Sequence, residues 1–250
     1  MVDILISGIL GHMGRNVLEL ARADEEVNPV CGVDLKAGEA CGVPVYAGFD
    51  GVREHVDVVI DFSSAANLSN VLAFAERAGA AVILAATGYT EAQLCEIAEA
   101  SKRIPVFKTA NLSVGINLLQ KLVKEAAAFL GEAFDIEIVE KHHNLKKDAP
   151  SGTALMLAES ADEAFAGNKE FVYGRHGMVG AREKREIGIH AVRGGTIVGE
   201  HEVMFAGEDE ILTLSHSARS KKVFAAGAIA AAKFMKGKPA GRYDMQDVLR

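Results

Sequence analysis

Fifteen consecutive residues concentrate proton donors, cations and a helix start: Glu140-Lys141-His142-His143-Asn144-Leu145-Lys146-Lys147-Asp148-Ala149-Pro150-Ser151-Gly152-Thr153-Ala154. Histidine titrates near neutrality and can serve as a general acid, whereas Lys146 stays cationic unless desolvated and can neutralise a carboxylate or supply a proton. After Pro150, Ser151 is placed to cap a helix. The amides of Gly152 and Thr153, with the threonine hydroxyl, then form an anion site. On a strand that reaches both His142 and His143, the two side chains point to opposite faces, so that one handles a proton while the other orients something. The run suits a substrate that carries carboxylates. A solvated basic loop followed by a capped helix is the plain structural alternative.

A second cluster lies at the N-terminal end. An apolar run at residues 4–7 leads into Gly8-Ile9-Leu10-Gly11-His12-Met13-Gly14 and then a helical pattern, which places three glycines where a strand turns into a helix. Glycines there allow a tight turn and let a phosphate reach the amides, while the helix N-terminus adds partial positive charge. The spacing Gly-x-x-Gly-x-x-Gly departs from the usual dinucleotide fingerprint, and a tight strand-to-helix connection would need the same residues. Asp34, about 20 residues on at the end of the second strand, favours the nucleotide reading, because an acid there accepts both ribose hydroxyls of NAD. It repels a 2′-phosphate, yet Lys36 lies two residues further and attracts one. The ends of the following strands, at Asp61-Phe62-Ser63, Ala86-Thr87-Gly88-Tyr89 and Thr109-Ala110-Asn111-Leu112, face the same crevice if the sheet is parallel.

These positions require a scaffold that alternates strands and helices. The pattern predicts strands at 4–7, 29–34, 56–62, 81–86 and 105–108 and helices at 15–23, 67–78 and 91–101, which are βαβ units around a doubly wound parallel sheet. The runs Asp57-Val58-Val59-Ile60-Asp61 and Ala81-Val82-Ile83-Leu84-Ala85 are apolar on both faces, as strands covered by helices on both sides should be. From residue 113 the character changes. Helices at 113–129 and 153–166 flank a strand at 134–140, and strand-like runs follow at 184–193, 196–205 and 210–217. Turns at Gly194-Gly195 and Gly207-Glu208-Asp209 predict hairpins and hence a mostly antiparallel sheet. An Ala-rich helix at 223–235 is placed to pack back onto the first half. The expected division is a Rossmann-like dinucleotide domain, 1–112 plus 223–250, and an α+β substrate and oligomerisation domain, 113–222. With so few helices, the second sheet is expected to bury its other face against another subunit.

Composition agrees with a globular α/β chain, with 49% hydrophobic and 24% charged residues and far more glycine than proline. A net charge of −7 without a basic stripe argues against nucleic-acid binding. Three cysteines, Cys31, Cys41 and Cys95, lack the pairing of a disulfide framework or a zinc site, which implies no metal and a reducing compartment. No apolar stretch reaches bilayer length and no leader pattern precedes the first strand, so a cytoplasmic protein without membrane attachment is expected.

The signature Glu-x-His-His-x-x-Lys-x-Asp-Ala-Pro-Ser-Gly-Thr-Ala at 140–154 closely resembles that of the dihydrodipicolinate reductase family. The likeness extends to Met13-Gly14, to Val59-Ile60-Asp61-Phe62-Ser63, to Ala110-Asn111-Leu112-Ser113-Val114-Gly115, to Gly199-Glu200-His201 and to His216-Ser217-Ala218. The resemblance implies NADH- or NADPH-dependent reduction of 4-hydroxy-tetrahydrodipicolinate with loss of water, in lysine and diaminopimelate biosynthesis. By position it makes His142 the proton donor or acceptor and Lys146 a second proton donor. His143, Ser151, Gly152 and Thr153 fall at the substrate. Gly8, Ile9, Leu10, Gly11, His12 and Met13, with Asp34, Ala85, Ala86, Thr87, Thr109, Ala110, Asn111 and Leu112, fall at the cofactor. It also implies a homotetramer assembled through the second sheet. Where many relatives carry Arg or Lys this chain has His12, Asp34 is followed by Leu35 instead of a base, and Ala85-Ala86-Thr87 replaces a common Gly-Thr-Thr. An amino-acid or semialdehyde dehydrogenase of similar layout, and a nucleotide-binding sensor without turnover, are the alternative readings of the same residues.

Overall fold

A computed structural model describes residues 1–249, so that Arg250, the last residue of the expected 223–250 segment, lies outside the described residues. The chain divides into two compact units, one formed by Met1–Ser113 with the chain from Lys222 onward, the other by Val114–Lys221.

The first unit begins with β1 (Val2–Ser7), α1 (His12–Arg22), β2 (Val27–Val33) and two short strands, β3 (Gly38–Ala40) and β4 (Val43–Tyr46). It continues through β5 (Val58–Asp61), α2 (Leu68–Ala78), β6 (Ala81–Leu84), α3 (Glu91–Ala100) and β7 (Pro105–Lys108). Alternate residues of the central strands enter different cores. Ile4, Ile6, Val58, Ile60, Ala81 and Ile83 pack with α1 on one face of the sheet. Leu5, Val59, Val82 and Leu84 pack with α2 and α3 on the other. That is why these strands read as unbroken apolar runs. The strand order runs β3, β4, β2, β1, β5, β6, β7 and then one late strand, and all pairings are parallel except that of β3 with β4. Because the chain moves outward from β1 to β2 and returns on its other side at β5, the sheet has its topological switch between β1 and β5. Ligands of open α/β sheets bind at the carboxyl ends there.

The second unit contains α4 (Val114–Leu130), β8 (Asp135–His142), α5 (Gly152–Asp162), β9 (Glu170–Tyr173), β10 (Glu186–Arg193), β11 (Gly199–Ala206) and β12 (Ile211–Ala218). Its sheet has the order β12-β11-β8-β10-β9. The sequence expectation needs correcting here. Strands β8, β9 and β10 pair in parallel, and the two pairings of β11, with β8 and with β12, are antiparallel, so the sheet is mixed. Gly207-Glu208-Asp209 does join a hairpin, β11 to β12. Gly194-Gly195 does not, because β8 lies between β10 and β11 and pairs with both. A glycine-rich turn records a change of direction and not which strand is paired afterwards.

One face of this sheet is covered by α4 and α5, through Ile116, Leu119 and Val123 on Ile136, Ile138, Ile189 and Phe205. The opposite face carries an ionic network in which Glu137 accepts from Arg175 at 2.9 and 3.0 Å and from Arg182 at 2.9 Å, with His190 Nε2 at 2.7 Å. Burial alone would push the Glu137 carboxyl up, but Arg175, His190 and Arg182 together hold it down to about 2. Gly188 makes room for this carboxylate, since a Cβ there would lie 1.9 Å from Glu137 Oε2.

The chain then returns to the first unit as α6 (Lys222–Met235), β13 (Gly241–Tyr243) and α7 (Met245–Val248), with β13 parallel to β7 at the sheet edge. Helix α6 packs on α1 through Ala225, Ala228, Ile229 and Ala232. Its small residues let the helix backbone come close. A Cβ at Gly227 would stand 1.7 Å from the carbonyl oxygen of Leu112, so that position admits only glycine. No helix among the described residues is long and apolar enough to cross a membrane.

Candidate active site

In the first unit, the turn after β1 is shaped by close backbone approach. Gly8 has φ +78°, and a Cβ on it would meet the backbone of Phe62 and Ser63 at 3.0 Å. A Cβ on Gly14 would lie 2.1 Å from the Gly8 carbonyl, so α1 starts directly against the turn. Gly11 is the N-cap of α1 and offers no side-chain cap, which leaves the first amides of the helix to another acceptor. Asp34, just past β2, accepts from the Leu10 amide through Oδ2 and from the Leu35 amide through Oδ1, each at 2.8 Å. The acid therefore fixes the glycine turn as well as standing beside it. A cavity of about 760 Å³ opens here, lined by Gly8, Gly11, Asp34, Phe62, Ser63 and Arg77 among others.

A glycine turn without Cβ atoms, uncapped helix amides and an acid at the next strand end fit the diphosphate and ribose of a dinucleotide. Of the residues expected at the cofactor, Gly8, Gly11 and Asp34 line this cavity. Ile9 is fully buried and packs against Gly32, so only its backbone is available, while Leu10 and Met13 are half-buried and His12 is exposed. Ala85, Ala86 and Thr87 follow β6, and Thr109, Ala110, Asn111 and Leu112 follow β7, further along the same edge of the sheet. Leu112 is buried in the core, and the Thr109 hydroxyl donates to the Asn111 carbonyl at 3.1 Å. Sequence reasoning did not single out Arg77 of α2, which enters the cavity from a helix that the glycine motif does not predict.

In the second unit, the alternation of β8 decides the site. Ile136 and Ile138 face the helices, and the same parity sends Glu140 and His142 inward. The strand ends at His142, so His143 already belongs to the loop. Glu140 has no solvent exposure at all. Its Oε1 accepts from Arg193 Nη2 at 2.7 Å and from the Ser151 amide at 2.9 Å; its Oε2 accepts from Arg193 Nη1 at 2.7 Å and lies 2.6 Å from His142 Nδ1. Burial would raise the Glu140 carboxyl, but Arg193, His142 and the Ser151 amide hold it below the ordinary carboxylate value. Arg193 comes from the end of β10, where it stands opposite His142 in the parallel register.

Ser151 caps α5, accepting from the Ala154 amide at 3.2 Å, and its hydroxyl lies 3.1 Å from His201 Nε2. The His201 ring meets that of His142 edge-on, with centroids 5.2 Å apart. Burial, and then His142, push His201 down to about 4, so it stays uncharged at neutral pH. His216 stands opposite His201 on β12 and is pushed down by burial. Lys146 pairs with Asp148 at 2.8 Å and holds the Asp148 carboxyl low. The loop is tied to the Gly194-Gly195 turn by Asn144 N to Gly195 O at 3.2 Å and Gly194 N to His142 O at 2.9 Å.

The second unit thus brings His142, Ser151 and the start of α5, where Gly152 and Thr153 sit, around one buried carboxylate. An ionised acid behind one ring nitrogen, an uncharged histidine beside the ring and a capped helix start suit proton transfer next to a bound anion. Sequence reasoning missed Glu140 and Arg193 as functional residues. The signal for Glu140 was present in the period-2 pattern of residues 136–142, which assigns an acid to the apolar face. Arg193 was hidden because the expected hairpin pairs β10 with the wrong strand.

The fold and site define an oxidoreductase of two α/β units, the first built for a pyridine nucleotide. Residues 2–112 match the family described as dihydrodipicolinate reductase, N-terminus, and residues 115–249 match dihydrodipicolinate reductase, C-terminus. The chain belongs to the dihydrodipicolinate reductase family. It is 50% identical over 250 residues to the 4-hydroxy-tetrahydrodipicolinate reductase of Caldanaerobacter subterraneus subsp. tengcongensis, covering all of this chain and 99% of that one. It is 44% identical to the enzyme of the same name from Clostridium novyi, with the same coverage. A dipicolinate-bound dihydrodipicolinate reductase from Paenisporosarcina sp. TG-14 has the same fold, with a TM-score of 0.82 at 23% identity over 98% of this chain and 97% of that one.

Proposed function

We propose that this chain reduces 4-hydroxy-tetrahydrodipicolinate to tetrahydrodipicolinate with loss of water, a step of lysine and diaminopimelate biosynthesis. The observation that carries the proposal is His142. One ring nitrogen is tied to a buried carboxylate, the other is open beside Gly199, and the start of a capped helix follows within ten residues. The full-length likeness to enzymes of that name supports it.

In this reading one hydride and one proton enter the substrate ring and one water leaves. The nicotinamide, when bound, supplies the hydride. His142 transfers a proton through Nε2, with the uncharged His201 at its edge. Lys146 faces the substrate as a cation or second proton donor, while His143 and the amides of Gly152 and Thr153 hold a carboxylate, and Ser151, whose own amide and hydroxyl are engaged, sets that helix start at the substrate. Gly8, Ile9, Leu10, Gly11, His12 and Met13 take the diphosphate through their backbone, Asp34 takes the ribose, and Ala85, Ala86, Thr87, Thr109, Ala110, Asn111 and Leu112 line the nicotinamide side.

The cofactor is NADH or NADPH, and Asp34 decides between them. Each of its oxygens holds one backbone amide and keeps a lone pair for a ribose hydroxyl, which suits an unphosphorylated ribose. The enzyme acts in the cytoplasm, where a diffusible nucleotide and three unpaired cysteines are at home. It assembles as a homotetramer through the face of the second sheet opposite α4 and α5, where Val192 and Ile211 are exposed. Light scattering should give four times the chain mass of 26.5 kDa; a monomer at micromolar concentration would refute the assembly.

In an assay coupled to the synthase that makes the substrate, the wild-type chain should oxidise NAD(P)H only when the synthase is active. His142→Gln should lower kcat by about 10²-fold. Synthase-independent oxidation, or full turnover in the variant, would overturn the assignment. Asp34→Asn should raise the ratio of kcat/KM for NADPH over NADH by about tenfold, roughly 1.4 kcal/mol. An unchanged ratio would move the choice of cofactor away from Asp34.

A further inference from the structure

We propose that Glu140 and Arg193 are positioning residues for proton transfer. Glu140 holds His142 as the Nδ1–H tautomer, Arg193 keeps Glu140 in place as the anion, and Nε2 is left as the nitrogen that exchanges a proton with substrate. The proposal rests on the reading of His142 as the proton-transfer residue.

Glu140 is costly where it stands. Glu140 occupies a position that the strand otherwise gives to isoleucine, with no exposure to water. A buried ion pair seldom stabilises a fold more than apolar residues of similar size would, and half of one is strongly destabilising. Packing alone does not explain an acid at this position. What the acid gains is a complete set of donors: two from Arg193, one from the Ser151 amide, and His142. Arg193 is itself fixed, since Nη1 also donates to the Val192 carbonyl at 2.8 Å and Nη2 to the Asp148 carbonyl at 2.7 Å.

The donors around Glu140 also set the direction of its contact with His142. A guanidinium and an amide only donate, so the acid that accepts from both is an anion, and the proton between Oε2 and Nδ1 belongs to the imidazole. Binding one nitrogen in this way fixes which nitrogen titrates. Gly199 supports the same assignment. A Cβ there would stand 3.1 Å from His142 Nε2, and the backbone of Gly199 is not in the left-handed region, so the glycine serves to leave space at that nitrogen.

The charged and titratable groups around the ring belong to every neighbouring element. Glu140 lies on the same strand, Arg193 comes from β10, His201 from β11 with His216 behind it on β12, and Lys146 and Asp148 come from the loop. Among the described residues, Glu140 is the one acid in hydrogen-bond contact with the ring. It is therefore the group that offsets the charge when His142 gains a proton.

The test combines kinetics with a measurement that needs no turnover. Nitrogen-15 NMR of histidine-labelled wild-type protein at neutral pH should show the neutral form of His142 as the Nδ1–H tautomer, assigned by its loss in His142→Gln. Glu140→Gln should mix the tautomers, lower kcat by about tenfold or more, leave substrate KM within about twofold, and move the alkaline limb of the kcat profile to lower pH. Glu140→Asp should restore part of kcat and most of the profile. Gly199→Ala, which leaves the acid untouched, should lower kcat without disturbing the tautomer. A merely structural role for Glu140 would reduce the folded fraction and leave the profile of the remainder in place. An Nε2–H tautomer in the wild type overturns the proposal whether or not any variant folds. If His142→Gln retains full turnover, the functional reading falls. If His142→Gln is inactive while Glu140→Gln keeps the wild-type profile and tautomer, only the positioning role falls.

Discussion

A carboxylate with no water around it must find its counter-charge and its donors within the fold, and in the second unit this requirement falls on Glu140. The requirement organises everything near it. Strand β10 must run parallel to β8 so that Arg193 arrives at its carboxyl end. The loop after His142 must turn back so that the Ser151 amide reaches Oε1, and that return places the N-cap of α5 beside the imidazole. The sheet register, the loop path and the helix start are thus three consequences of satisfying one anion. The proposed proton transfer uses the same arrangement, because binding one ring nitrogen leaves the other to exchange the proton.

The first unit answers to a different constraint, the distance of closest backbone approach. Gly8, Gly14, Gly32 and Gly227 all stand where a Cβ would collide with backbone or a core side chain. Between them they bring α1 against the turn after β1, seat Ile9 under β2 and lay α6 on the Leu112 carbonyl. The turn that results exposes amides in place of side chains, which is the way a neutral peptide backbone holds a doubly negative diphosphate. Asp34 joins the two demands, anchoring the Leu10 amide of the turn while presenting its remaining lone pairs at the strand end.

Much of this was legible in the residues. Strands β5 and β6 and their flanking helices follow from apolar runs with no polar alternation, and the Gly207 hairpin follows from its turn residues. The run at 140–154 already contained Glu140, His142, Ser151 and the start of α5, which the fold brings together. What escaped was whatever depends on pairing between distant segments. Strands β3, β4, β9 and β13 have only three or four residues each and carry no period of their own. The insertion of β8 between β10 and β11 is a choice among registers that glycines cannot encode, and the partner of Glu140 was lost with it. The pattern of residues 136–142 did place an acid on the apolar face, and an acid at such a position calls for a cation from another strand.

The proposed proton transfer requires that Glu140 remain an anion inside the second unit. Carbon-13 NMR of the labelled glutamate carboxyls, with Glu140 assigned by its loss in Glu140→Gln, measures this directly as pH is lowered. Its partners hold its folded value below the usual 4.5, so their stabilisation is present above pH 4.5 and is lost as pH falls through the lowered value. The Glu140 signal should stay in the ionised position at pH 4.5 and change only further down. A Glu140 that titrates at or above 4.5 in the folded protein would contradict it.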